Sequence, residues 1–335
     1  MKVLMLGGTR FLGKNIVEAA IARGHEVTLF NRGNNRDLFP HLEQLIGDRD
    51  GGLDALNNRS WDAVIDTSGY VPRIVNQSLQ ALKDRTQHYT FISTIDVYDE
   101  SVPGEISESH PVHTLKDESI EDVQKAYGPM KARCEQLVRE QMEDKALIVR
   151  CGLIAGPGDH TDRLTYWPRR IARGGEVLAP GNLNAPIQFI DVRDVSEWIV
   201  RKVEERHAGL YTATGPGEPI TVGGFIEACA RALESDARLT WVSDSFLKEQ
   251  EVGSWIEMPL WIPEEAKLHA LMSVNVSRAK EAGLTYRPLE TTIKDTLIWD
   301  RSRPEGTEPK AGLAEEKEKK LLALWNSRLS EGSGE

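Results

Sequence analysis

KVLMLGGTRFLG, residues 2–13, is the stretch on which the fold turns. Val3, Leu4, Met5 and Leu6 make an unbroken apolar run, the pattern of a short strand buried on both faces. Gly7 and Gly8 permit a tight turn that leaves backbone N–H groups in the open. Gly13 lets the next helix, roughly residues 13–23, pack close to the sheet. Free N–H groups at a helix N-terminus bind phosphate. Strand, glycine turn and helix together read as a pyrophosphate cradle formed by Gly7, Gly8, Thr9, Arg10, Phe11, Leu12 and Gly13.

HEVTLF (residues 25–30) supplies a second strand and completes a strand–helix–strand unit. In such units the residue closing the second strand, about 20 positions past the glycines, meets the adenosine ribose, and a carboxylate there selects NAD. This chain has Asn31 followed by Arg32, and Arg10 stands inside the glycine loop. With no carboxylate to repel a 2′-phosphate and two guanidiniums nearby, NADP is favoured over NAD, unless Arg32 is simply a solvated loop residue.

Further on, short apolar runs alternate with helical patterns, the signature of a Rossmann-type α/β fold with a doubly wound parallel sheet. Asp48 follows the third run, LEQLIG, where a loop either reaches the adenine amino group or stays in solvent. WDAVIDT (61–67) is the fourth strand. Thr67, Ser68 and Gly69 form a small polar turn at its carboxyl end, the edge along which such folds bind ligands. HYTFIS (88–93) is the fifth, which brings Ser93 and Thr94 to the same edge. Residues 99–122 read as an exposed loop. The expected organisation is a dinucleotide-binding domain over residues 1–160 and about 186–214, with a smaller α/β substrate-binding lobe over about 161–185 and 215–302. Residues 303–335 are expected to be a flexible charged tail carrying one helix.

Composition excludes several classes. A hydrophobic content of 40% and a charged content of 28% are ordinary for a globular chain with a full core. A net charge of −11 argues against a nucleic-acid surface, which needs clustered Lys and Arg. Three cysteines without metal-ligand spacing indicate reduced thiols, no metal site and a cytoplasmic location. No run approaches membrane-spanning length, and no secretory signal is visible.

Tyr127 and Lys131 are spaced i, i+4, one helix face apart by a single turn, although Pro129 between them must start or kink that helix. A phenol with its ordinary pKa of about 10 is a poor base at neutral pH. Lys131, with the positive nicotinamide ring, is expected to lower it. Thr94, or Ser93 beside it, would hold the substrate oxygen while a hydride moves. Ser93, Asp96, Tyr166 and Trp167 are the candidates for substrate contact.

Taken in order, the glycine loop, Asp48, Ser93-Thr94 with Val97-Tyr98, Tyr127-Gly128-Pro129-Met130-Lys131 with Glu135, Arg150 with Gly156-Pro157-Gly158-Asp159, and Phe189-Ile190-Asp191 resemble the extended or atypical short-chain dehydrogenases/reductases. That superfamily contains the NAD-dependent epimerases and dehydratases. The resemblance covers roughly the first 300 residues. It implies Thr94, Tyr127 and Lys131 as catalytic residues, with Tyr127 and Lys131 also contacting the nicotinamide ribose. A homodimer is the assembly it suggests. Three departures from the pattern follow: the first marks an atypical branch, the second counts against dehydration, and the third leaves a nucleotide-sugar substrate without support. Arg10 stands where Gly is usual, Ile95-Asp96 replaces the Asp-Glu of sugar-nucleotide dehydratases, and Ile187 replaces an Arg that holds a sugar-nucleotide diphosphate.

The expected function is therefore NAD(P)-dependent oxidoreduction or epimerisation of a small hydroxyl/carbonyl substrate, sugars and nucleotide sugars included. A non-enzymatic, nucleotide-sensing or RNA-associated role, as in the stem-loop-binding members of the superfamily, is the alternative. The intact Thr94, Tyr127 and Lys131 set and the acidic charge weigh against it.

Overall fold

The apolar runs between residues 2 and 213 come together as one seven-stranded parallel sheet. The computed structural model describes residues 1–263 and 265–332. Along the chain the first strands are β1 (Lys2–Leu6), β2 (Glu26–Asn31), β3 (Glu43–Ile46), β4 (Ala63–Asp66), β5 (Tyr89–Thr94) and β6 (Ala146–Cys151). Then come β7 (Leu153–Ala155), β8 (Glu176–Pro180), β9 (Pro186–Ile187), β10 (Phe189–Asp191), β11 (Gly209–Ala213), β12 (Ile220–Thr221) and β13 (Arg238–Val242). The longer helices are α1 (Phe11–Ala22), α2 (Pro72–Leu82), α3 (Val123–Met142), α4 (Tyr166–Ile171) and α5 (Val192–Glu204). They are followed by α6 (Val222–Ala232), α7 (Asp244–Glu249), α8 (Ser277–Glu281), α9 (Leu289–Arg301) and α10 (Glu315–Gly332).

Two compact units result. The first comprises Met1–Ile154, Val192–Gly215 and Val274–Tyr286. Its sheet runs β11-β6-β5-β4-β1-β2-β3. Helices α1 and α5 pack together, as do α2 and α3. Strands β4, β5 and β6, and β1 beyond Lys2, are buried along their length because both sheet faces are covered, and Leu4, Leu6, Val64, Phe91 and Ile148 are all in the core. Residues 99–122 are more than a surface loop. The Glu108 carboxylate accepts the Thr212 N–H on the edge strand β11 at 2.7 Å, and Ile106 and His110 are buried. Residues 274–286, placed in the lobe from sequence, belong to this unit, where the Trp198 indole donates to the Ala282 carbonyl at 3.1 Å.

The second unit comprises Ala155–Asp191, Pro216–Ser273 and Arg287–Glu335. It holds a parallel β8–β13 pair, a short antiparallel β9–β12 pair, and α4, α6 and α9 packed on one another. The segment after residue 303 differs from the expected flexible tail. Glu318 of α10 is buried; its carboxylate takes Arg170 Nε at 2.6 Å and the Leu178 backbone N–H of β8 at 3.1 Å. One helical side chain thus closes an open strand edge and neutralises a buried guanidinium. Composition hid this, because Glu318 sits in a run of charges that looks solvated. Glu318→Ala leaves Arg170 buried without its anion and should cost about 3 kcal/mol. The expected readout is a lower midpoint in chemical denaturation; an unchanged midpoint would show that α10 is dispensable to the unit.

Candidate active site

The glycine loop forms as read. Gly7 and Gly8 have φ of +102° and +83°, and a Cβ on Gly13 would lie 3.0 Å from the Gly8 backbone, so the helix start abuts the turn. Arg10 is the N-cap of α1 and makes no side-chain capping bond, and the first turn carries no acid. The positive helix end is therefore left for an anion, which fits a dinucleotide pyrophosphate held by residues 7–13. Asn31 ends β2 with its Oδ1 accepting the Gly33 N–H at 2.7 Å, and Arg32 is exposed. Asp48 is exposed, with its carboxylate turned to the Asp50 N–H.

Thr67 and Ser68 both donate to the Leu6 carbonyl, at 3.0 and 3.1 Å, which ties the turn after β4 to the glycine loop. Sequence reasoning passed over the group behind them. Arg49, next to Asp48, is a two-pronged partner of the fully buried Asp66, at 2.6 and 2.8 Å, and also donates to Ser68 and Ser78. Tyr89 completes the set by donating to Asp66 at 2.9 Å. The only hint in the sequence was an acid ending an otherwise apolar strand.

Helix α3 delivers Tyr127 and Lys131. Its backbone breaks at Ala126 (φ −141°, ψ 37°) and the regular helix restarts at Tyr127, so Pro129 falls in a first turn where its missing N–H is no loss. A Cβ on Gly128 would sit 2.0 Å from the Asp96 carbonyl; only glycine lets α3 approach this closely. That approach sets Tyr127 beside the Thr94–Asp96 turn. Thr94 also donates to the Asp96 carboxylate at 3.0 Å and accepts the Asp96 N–H at 3.2 Å.

The electrostatics differ from expectation. Burial, then the Asp96 charge and neighbouring Tyr70, push the Tyr127 phenol well up, opposed by the Thr94 hydroxyl. Lys131 is not what lowers it. The ammonium points inward, donating to the Gly69 and Ile92 carbonyls at 2.6 Å each and lying 4.1 Å from the Phe91 ring centroid. Burial brings its pKa down to about 8.

Three substrate candidates are displaced. Ser93 is buried and donates to Glu135 at 2.6 Å, and Glu135 is the two-pronged partner of buried Arg150. Trp167 is fully buried, its indole bonded to the Pro259 carbonyl at 2.9 Å, and Tyr166 is buried edge-on against it. Their apolar area went to the core of the second unit, the commoner use of large aromatics. Asp96, half-buried, stays at the site.

The profile of the NAD dependent epimerase/dehydratase family matches residues 3–212. The chain belongs to this family. Among curated relatives it is 24% identical over 249 residues to the chloroplast stem-loop binding protein of 41 kDa b of Arabidopsis thaliana, across 69% of this chain and 63% of that protein. It thus spans less than two thirds of that relative. The bovine epimerase family protein SDR39U1 is 22% identical over 251 residues, across 70% and 81%. Among solved structures, the Bordetella bronchiseptica enzyme WbmH in complex with NAD+ superposes with a TM-score of 0.66 at 17% identity, covering 90% of this chain and 98% of that one. The Thermus thermophilus UDP-glucose 4-epimerase complex with NAD gives 0.63 at 19%, covering 91% and 100%. At these identities the likeness establishes the fold. Among the described residues no helix is long and apolar enough to cross a membrane.

Lys131 provides a pH test. Its folded pKa lies below the ordinary 10.5, so between about pH 8 and 10.5 the unfolded chain holds more protons, and stability gains with rising pH from this group. The full gain is about 3 kcal/mol. Unfolding free energies measured from pH 7 to 10 should rise more in the parent than in Lys131→Met; the buried thiols, shared by both, cancel in the difference. Parallel curves would mean that Lys131 is not the origin.

Proposed function

We propose that the chain is a nicotinamide-dinucleotide-dependent oxidoreductase or epimerase acting on a hydroxyl or carbonyl group, with nucleotide sugars as the first substrate class to try. The observation that carries this is the continuous bonding, within the first unit, of the anion-ready α1 terminus to the reacting set. Leu6 holds Thr67 and Ser68, the adjoining Gly69 holds Lys131, and Lys131 lies one turn from Tyr127. The bound dinucleotide would supply or accept a hydride. Thr94 would orient the substrate oxygen. Tyr127, kept neutral by its surroundings, would give that oxygen a proton on reduction and take it back on oxidation. Lys131 would fix the backbone around the ribose side of the site. Asn31 and exposed Arg32 support NADP over NAD, because nothing anionic stands at the end of β2. A small-molecule partner and a reducing, cytoplasmic setting fit the three buried free thiols. The homodimer implied by the superfamily stays part of this proposal.

A stem-loop-binding role is the second reading, supported by the name of the Arabidopsis relative. The net charge of −11 speaks for the enzyme.

Fluorescence titration should show one dinucleotide bound per chain, NADPH more tightly than NADH, with Arg32→Glu reversing the order. With UDP-glucose as the first probe, Tyr127→Phe should keep dinucleotide binding while turnover falls about 100-fold or more. A protein that binds neither dinucleotide, yet binds a stem-loop RNA with a steep salt dependence, would replace this reading by the second.

A further inference from the structure

Residues 97–113 of the first unit carry a group of side chains that the proposed reaction does not use. Tyr98 and Val112 form an antiparallel bridge. The Asp99 N–H donates to the Pro111 carbonyl at 2.9 Å, and the His113 N–H donates to the Val97 carbonyl at 2.8 Å. The result is a short ribbon that sets Asp99 and Glu100 across from His113. Buried His110 bonds the Asp99 carbonyl at 3.0 Å and steadies the backbone from which the two acids project. Ser101 orients the Asp99 carboxylate, its N–H and hydroxyl both donating to Oδ1. Among the described residues, Asp99, Glu100 and His113 are the one group of three His, Cys, Asp or Glu side chains whose ligand atoms all lie within 4.8 Å of one another.

Glu100 is the informative member. Its side chain is only 10% exposed, and His113 Nε2 lies 3.0 Å from its Oε2. A carboxylate buried to that degree calls for positive charge beside it. An imidazole supplies that charge only while doubly protonated, whereas a divalent ion supplies it and leaves the imidazole neutral. One imidazole and two carboxylates form a mixed nitrogen and oxygen set, which zinc and its neighbours take in preference to magnesium or calcium. Zinc bonds of about 2.1 Å in a tetrahedron place ligand atoms about 3.4 Å apart. Nε2 and Oε2 already stand near that spacing, and the 4.8 Å limit leaves Asp99 about 1.4 Å to close. The His113 side chain is 26% exposed, so an ion, with water as its fourth ligand, can enter from solvent.

We infer that Asp99, Glu100 and His113 form a binding site for a divalent transition-metal ion of the zinc type. The ion replaces the proton that Glu100 and His113 share, and that proton leaves to solvent. Three cysteines without ligand spacing gave no hint of this site, because its ligands are carboxylates and an imidazole. The site stands apart from the dinucleotide-dependent reading but lies near the residues of that reading. His113 Cδ2 is 3.4 Å from where a Cβ on Gly128 would stand, against the start of α3. A metal ion bound there pins the ribbon beside the helix that carries Tyr127, a structural role.

The test titrates the full chain, stripped of metal with a chelator and kept reduced with a phosphine, with zinc chloride in a calorimeter. One equivalent should bind, and His113→Ala, Glu100→Gln and Asp99→Asn should each weaken it about tenfold or more. Magnesium in about hundredfold excess should not displace the zinc. Cobalt used in place of zinc should give visible d–d absorption with no thiolate charge-transfer band, which separates this site from the three cysteines. Should His113→Ala fail to fold by circular dichroism, the Glu100→Gln and Asp99→Asn titrations and the cobalt spectrum decide. No binding by the parent, binding that the variants leave unchanged, or a thiolate band would each overturn the inference.

Discussion

A buried ammonium must find acceptors, and in this chain that need arranges the site. Lys131 reaches through the interior of the first unit to the carbonyls of Gly69 and Ile92, one after β4 and one within β5. An unpaired cation in that position would be expensive to desolvate, so α3 has little freedom to rotate or slide. Because Tyr127 lies one turn earlier on the same helix, the lysine's bonds position the phenol. Gly128 then removes the one Cβ that would keep the helix from the Thr94–Asp96 turn.

The same device recurs elsewhere. Arg49 with Asp66 supports the turn that carries Ser68; Arg150 with Glu135 engages Ser93; Arg170 with Glu318 fastens α10. Buried ion pairs of this kind add little net stability compared with apolar packing, but each tolerates only one arrangement of its partners. Their value here lies in geometry. Within each unit they hold loops and helix ends in an arrangement that apolar contacts alone would leave loosely defined.

Charge also changes the chemistry expected of Tyr127. A lysine one turn away would ordinarily draw a phenol toward ionisation. Here the lysine is spent on backbone carbonyls, and Asp96 sits beside the phenol instead, so the neutral form is strongly preferred. A neutral phenol suits proton donation to a carbonyl oxygen.

Much of the architecture followed from local pattern. Apolar runs broken by helical segments required a parallel sheet, Gly7, Gly8 and Gly13 required a tight turn leading closely into a helix start, and Tyr127 and Lys131 had to share a helix, since period and backbone sterics act over a few residues. Partner choice among buried charges lay beyond such patterns. Nothing local links Arg49 to Asp66, Ser93 to Glu135, or Glu318 to Arg170 and Leu178, and these pairings withdrew Ser93 from substrate contact and turned a seemingly solvated tail into part of a unit. The inward course of Lys131 and the meeting of His113 with Asp99 and Glu100 were likewise decided in three dimensions. Desolvation depends on everything packed around a group, whereas a stretch of chain records only its neighbours along the backbone.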